Sequence, residues 1–247
     1  MNTVHQHRPV TLPVATTGGG WLLAVAAFCF GMLAVGASVD ALPWDGPISR
    51  SVIDARTPFW NTVALRVSSF GSTPVILATS AIAALVAWRR CPRLAIAIVV
   101  LAIARPLSEF VLKELIGRER PSGDRMVRGR GPAFPSGHPY AVAMAWGLIP
   151  MVVALYSRRP WLPRTIAVFA WTAAVAVAAS RVWLGVHWTS DAAAGLLVGL
   201  LAVCLAERAV AGNGCGCAAD SGGVPNPSFR IEDPVRRRRR QPLRRRS

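Results

Sequence analysis

His138 and His187 are the residues of this chain best suited to nucleophilic or acid–base chemistry, and both sit at the edges of apolar runs. His187 is followed four residues later by Asp191 in SRVWLGVHWTSD, residues 180–191. On a helix that spacing puts the pair on one face. The carboxylate could then accept a hydrogen bond from one ring nitrogen and leave the other free to attack or to take a proton. Asp191 as a simple first-turn acid of a helix is compatible with that role. His138 lies in PSGHP, residues 135–139, where Pro139 fits the first position of a helix. Free amides at such a terminus, with the helix dipole, make an anion site, and Gly137 would let the backbone approach a ligand closely. Lys113, Arg120 and Arg181 bring positive charge with few carboxylates beside it, which suits a phosphate-bearing ligand. A lone histidine beside an apolar helix is usually structural. Here there are two beside cations, and the remaining two of the chain's four, His5 and His7, fall in an N-terminal arm.

The elements that must position these residues are apolar segments of membrane-spanning length. About 20 mostly apolar residues cross the hydrocarbon core, and six stretches qualify, at about 21–39, 72–88, 94–116, 139–156, 164–180 and 190–208. The expected fold is therefore all-α: a polytopic six-helix bundle, residues 21–208, between a short arm (1–20) and an Arg-rich tail (209–247). The VGAS sequence after the first run resembles a signal-peptide cleavage site. The length of that run and the low positive charge before it favour an uncleaved anchor. The connections RRCPR (89–93) and SRRPWLPR (157–164) each carry three arginines and no acid. The positive-inside rule then places both termini and these loops in the cytoplasm, and the connections after spans one, three and five outside. The stretch GRERPSGDRMVRGRG, 117–131, is Arg-rich on the outer side and breaks that rule, so its arginines are expected to serve another purpose. Arg118, Arg125, Arg128 and Arg130 are candidates for attracting an anionic head group.

Arg105, Glu109 and Lys113 recur at intervals of four within the third span, so they share a face and the carboxylate can bridge both cations. Intramembrane charge is costly and points to function, although a structural ion-pair ladder fits Arg105 and Glu109 equally well. Pro106 should kink or weaken this helix. In an alternating bundle, the ends of odd spans and the starts of even spans lie on one side. KELIGRERP, PSGH and SRVWLGVHWTSD therefore emerge together, on the outer face.

Composition closes off other classes. The chain is 53% hydrophobic and 16% charged, with a mean hydropathy of +0.40, too apolar for an ordinary soluble domain. Its net charge of +16 is concentrated at span ends and in the tail, where nine arginines occupy the last 18 residues. No basic face with interleaved aromatics is evident, so nucleic acid is not the expected partner; a polybasic tail against anionic lipid is. Five scattered cysteines, an odd number, argue against a disulfide framework, and Cys215 and Cys217 are assigned no role.

Taken together, Lys113-x6-Arg120-Pro121, Pro135-Ser136-Gly137-His138 and Ser180-Arg181-x5-His187-x3-Asp191 resemble the three signature motifs of the type-2 phosphatidic acid phosphatase superfamily. That group contains membrane lipid phosphate phosphatases and soluble vanadium haloperoxidases. The six spans match the membrane branch and exclude the soluble one. The resemblance implies that His187 attacks phosphorus to form a phosphohistidine, that Asp191 orients it, and that His138 protonates the leaving oxygen and then activates water. It implies that Lys113, Arg120, Ser136, Gly137 and Arg181 hold the phosphoryl oxygens, with Arg105, Glu109, Pro121, Pro135 and Ser180 around them. No metal or other cofactor is implied. The expected activity is hydrolysis of a lipid phosphate monoester or diphosphate, such as polyprenyl diphosphate, phosphatidylglycerophosphate or phosphatidate. The competing expectation is a non-catalytic membrane protein that binds or moves anionic lipid, which has no need of two histidines and an aspartate.

Overall fold

The computed structural model describes residues 19–40 and 42–211; the Arg-rich tail, Cys215 and Cys217 lie outside them. Every regular element among the described residues is a helix: α1 (Gly19–Ser38), α2 (Asp45–Asp54), α3 (Pro58–Ser69), α4 (Thr73–Trp88), α5 (Pro92–Ile116), α6 (Gly137–Gly147), α7 (Ile149–Tyr156), α8 (Trp161–Trp183) and α9 (Thr189–Ala211). Five spans are long and apolar enough to cross a membrane, the run Gly137–Tyr156 counting as one; the bent pair α3–α4 brings the number to six. Large apolar side chains such as Leu85, Ile103, Leu115 and Phe169 are exposed around the bundle, as lipid-facing surfaces require.

The sequence punctuates these helices visibly. Thr57 caps α3 by accepting a hydrogen bond from the Trp60 amide at 3.4 Å, with Pro58 in the first turn. Helix α5 runs unbroken through Pro106 and ends at Gly117, whose φ of 63° is the left-handed cap that glycine accommodates best. Leu148 separates α6 from α7, and Pro150 near the start of α7 cannot donate into the preceding turn.

Three expectations need correction. Residues 40–71 are not a plain loop: they hold α2 and α3, and α3 meets α4 at a 44° bend. Both helices are short and polar on one side, so neither has the apolar length by which a span is detected. Pro139 is the third residue of α6, because the helix already begins at Gly137. The third amide of a helix also lacks an intrahelical acceptor, so proline is tolerated there for the same reason. His187 lies outside α9, and its proximity to Asp191 comes from the turn that enters this helix rather than from helical spacing.

Helices α6 and α9 form the centre of the bundle. A Cβ on Gly195 would collide with the Ser136 carbonyl, and one on Gly199 would meet the Ala143 side chain and lie 3.0 Å from the Met144 amide nitrogen. The pair forms a G-x-x-x-G motif, the small-residue pattern that lets membrane helices approach closely. It draws the start of α9 onto the start of α6, and the Ser136 amide donates to the Asp191 carbonyl at 3.0 Å.

Candidate active site

The site gathers where α5 ends, α6 begins and α8 turns into α9. Two backbone bonds link the motifs: Ser136 to Asp191, and the Ala133 amide to the Arg118 carbonyl at 2.7 Å. His187 is 3% exposed, Ser136 and Asp191 0%, and Arg181 7%. His138 is partly exposed, within electrostatic range of Arg181, His187, Arg105 and Lys113.

Arg120 is held by the loop around it. Its guanidinium donates to the carbonyls of Gly131 at 2.9 Å, Arg130 at 2.9 Å, Pro132 at 3.2 Å and Val186 at 2.7 Å. That leaves Nη1 3.1 Å from His187 Nε2. A guanidinium cannot accept, so this contact makes Nε2 the acceptor and assigns the proton of the neutral ring to Nδ1. Burial is the main influence on His187 and pushes its pKa well below the ordinary histidine value. Arg120, Arg181 and Lys113 push the same way, and the nearby Ala133 carbonyl opposes them least of all. A lowered pKa keeps the imidazole neutral, with Nε2 able to act as a nucleophile, throughout the neutral range. In detergent-solubilised protein labelled with 15N-histidine, the His187 signals should therefore remain those of a neutral ring well below pH 6.5; a midpoint at or above that value contradicts this electrostatic picture.

Asp191 combines both roles open to it. Oδ2 accepts the Trp188 amide at 2.9 Å, reaching back to the helix start as capping boxes do. The same oxygen is 3.6 Å from Nδ1 of the neutral His187 ring, a contact beyond hydrogen-bond length. The expected hydrogen bond is thus loosened because the oxygen is turned toward an amide. Such contacts are often long before substrate binds.

Arg181 donates to Ser68 Oγ of α3 at 2.7 Å. Lys113 lies 3.3 Å from Glu109 and 3.3 Å from the Pro132 carbonyl, and Glu109 also pairs with Arg105 at 2.7 Å. The carboxylate bridges both cations as the spacing anticipated, and it lies directly against Gly137, at the first turn of α6. Pro135 and Pro121 are buried at the edge of the site. Ser180 turns away from it, bonding the Val177 carbonyl of its own helix at 2.7 Å. Buried side-chain atoms without a hydrogen-bond partner include Ser136 Oγ, Arg181 Nε and His187 Nδ1. Nδ1 faces Asp191, whereas the Ser136 and Arg181 atoms, on separate segments of one site, are what an anion with several oxygens would satisfy.

Two residues, Gly71 and Asp45, escaped the sequence reading, and Arg118 has a different place from the one expected. Gly71, in the α3–α4 bend, packs against His138: a Cβ there would sit 2.9 Å from His138 Cβ and 3.0 Å from Cδ2. Gly71→Ala should therefore displace the imidazole and lower kcat about 10–100-fold with little change in thermal stability, since small misplacements of a reacting group cost rates of that order. Unaltered turnover would show that His138 tolerates the shift. Asp45 and Arg118 are both buried, at 2% and 6% exposure, and Arg118 bonds Asp191. Arg118 is therefore no surface residue for head groups. Arg125 braces its own loop through the Pro121 carbonyl at 2.7 Å, which leaves Arg128 and Arg130 exposed for that purpose.

Comparison with known proteins places the sequence and the fold among known relatives. Residues 93–214 match the family model of the PAP2 superfamily. Phosphatidylglycerophosphatase B of Bacillus subtilis (strain 168) is 31% identical over 162 residues, 64% of this chain and 78% of the relative. The crystal structure of a transmembrane PAP2-type phosphatidylglycerolphosphate phosphatase from Bacillus subtilis superposes with a TM-score of 0.70 at 25% identity, covering 78% of this chain and 98% of the other. Aquifex aeolicus LpxE shares the fold at a TM-score of 0.53 and 16% identity, over 67% and 95% of the two chains. With its three motifs folded into one buried site at the ends of spanning helices, the chain belongs to the PAP2 superfamily, as one of its membrane-spanning phosphatases.

Proposed function

We propose that this chain hydrolyses lipid phosphates through a phosphohistidine on His187, with phosphatidylglycerophosphate as the leading substrate and phosphatidate or a polyprenyl diphosphate as alternatives. The observation that carries this reading is the pair of orphaned buried atoms, Ser136 Oγ and Arg181 Nε, together with the His187 Nε2 that Arg120 faces. The choice of lipid rests on the relative named phosphatidylglycerophosphatase B.

In the first step His187 Nε2 forms a bond to phosphorus, the bond from phosphorus to the lipid oxygen breaks, and His138 gives that oxygen its proton. Lys113, Arg120 and Arg181 with the Ser136 and Gly137 region stabilise the charge on the three equatorial oxygens. In the second step His138 takes a proton from water, whose oxygen attacks phosphorus as the bond to Nε2 breaks, releasing phosphate. The positive charge needed is supplied by side chains, and the reaction is metal-independent in this proposal.

The membrane-spanning body comprises residues 21–208, with the arm and the tail cytoplasmic and the tail against anionic lipid. The arginines of 89–93 and 157–164 support this orientation: they lie at the helix ends remote from the site, and the positive-inside rule then favours an extracytoplasmic site. Exposed Arg128 and Arg130 would draw an anionic head group toward it. Arg128→Ala with Arg130→Ala should raise KM several-fold at low salt with little loss of kcat, and the difference should vanish at high ionic strength. An unchanged KM at low salt removes these residues from substrate capture.

The test is phosphate release by purified protein from phosphatidylglycerophosphate, phosphatidate and polyprenyl diphosphate, with and without chelator, alongside trapping of an acid-labile, alkali-stable phosphoenzyme. Turnover that survives chelation, with label on His187, is expected. Binding of these lipids without release or label would establish the non-catalytic alternative.

A further inference from the structure

Arg118 lies outside the signature positions, yet it is among the most completely buried charges near the site. Its Nη1 donates to Asp191 Oδ1 at 2.8 Å and to Ser190 Oγ at 2.6 Å, and its Nη2 donates to Asp45 Oδ2 at 2.9 Å. The guanidinium also lies over the Trp188 ring, 5.5 Å from the centroid, with Asp40 3.8 Å away at the surface. Asp45, the first residue of α2, in turn accepts the Ser190 amide at 3.0 Å and bonds the Ser190 hydroxyl. One guanidinium therefore joins two buried carboxylates, and Asp45 serves from another helix as a cap on the first turn of α9.

The Arg118-Glu119-Arg120 segment is non-helical, so alternate residues point the same way. Glu119 faces solvent, while Arg118 and Arg120 face inward, Arg118 to the Asp191 carboxylate and Arg120 to His187 Nε2. The two arginines thus grip the His187–Asp191 pair from its opposite ends.

We infer that Arg118 is a positioning residue for the reaction: anchored by Asp45, it fixes the Asp191 carboxylate so that Oδ2 faces His187 Nδ1 and holds the ring in the tautomer that presents Nε2. This inference rests on the phosphatase reading for its kinetic consequence. Its structural content does not. Removing Arg118 leaves Asp191 and Asp45 buried without their shared counter-ion, and Asp191 must turn or take up a proton. Either change frees Nδ1 from its orientation.

The experiment combines kinetics with 15N-histidine NMR on the full-length protein in detergent. Arg118→Met should lower kcat about 10–100-fold, the range typical when a partner that orients a reacting side chain is lost, with KM within about twofold. In an Asp191→Asn background the same substitution should cost nothing further. Arg118→Lys keeps a charge but cannot bridge both carboxylates, and Asp45→Asn loosens the anchor; both should give intermediate losses and remain folded if Arg118→Met does not. In each variant the His187 signals should show the Nδ1-protonated tautomer depleted. A merely structural arginine would give equal losses in both backgrounds, lowered melting temperature and unchanged His187 signals, which overturns the inference. Because the NMR readout needs no turnover, it reports on Arg118 even if no lipid phosphate is hydrolysed, so failure of the phosphatase reading is seen separately.

Discussion

His187→Ala should lower phosphate release from every lipid phosphate by about 10³-fold or more, the scale on which loss of a covalent nucleophile is felt. The site offers few replacements. Nε2 is the ring atom that Arg120 faces, and the proposed phosphate-holding side chains surround it. Of the other nucleophilic side chains there, Ser136 has a hydroxyl with no basic partner, and Lys113 is engaged by Glu109 at 3.3 Å. Residual turnover would come from water activated by His138 within an intact cradle. KM should consequently change little, because Lys113, Arg120 and Arg181 remain. The phosphoenzyme should disappear altogether, and this separates loss of the nucleophile from loss of the fold, which circular dichroism and melting temperature check. Persistence of the phosphoenzyme in the variant would place the covalent bond elsewhere and end the assignment of His187.

Much of this was legible because the relevant signals are local. Apolar length reveals a span without knowledge of its neighbours, and the three motifs are short enough that residue type and spacing carry their chemistry. Alternation of spans then put KELIGRERP, PSGH and SRVWLGVHWTSD on one side, and the structure does bring these stretches together. What escaped depends on pairing across the chain. Nothing in GRERP tells which arginine turns inward, since Arg118 finds Asp45 and Asp191 at a separation of 73 residues each. Asp45 itself reads as one of three acids that balance three arginines between the first two spans. Gly71 sits in a bend between two proline-started helices and acquires meaning only because His138 packs against it. The Gly195-x3-Gly199 spacing is local, but which helix it meets is not: it packs against the Ser136 carbonyl and Ala143 of α6. The arginines of 117–131, which the positive-inside rule does not expect on an outer connection, are largely engaged within the fold. Arg118 and Arg120 face inward, Arg125 braces the loop, and charge that is buried or spent on carbonyls says little about which side of a membrane a loop occupies.

His138→Ala should lower turnover of natural lipid phosphates by about 10²–10⁴-fold, the usual contribution of a positioned acid–base group. Its imidazole is placed from several directions. Gly71 of the α3–α4 bend abuts its Cβ, Gly137 before it lies against the Glu109 carboxylate, and Gly195 of α9 lets the first turn of α6 seat closely. These constraints come from glycines that His138→Ala leaves in place, so the loss should be kinetic rather than structural. The role has a signature that distinguishes it from His187. An alkoxide leaving group needs a proton as its bond to phosphorus breaks, whereas an aryl oxide of low pKa departs without one. With an aryl phosphate, His138→Ala should therefore recover much of its first-step rate and accumulate phosphoenzyme, because the second step still requires a base to activate water. His187→Ala should gain nothing from the better leaving group. Equal defects of His138→Ala on alkyl and aryl substrates, with no build-up of the intermediate, would mean that His138 holds phosphate oxygens and that another group moves the proton.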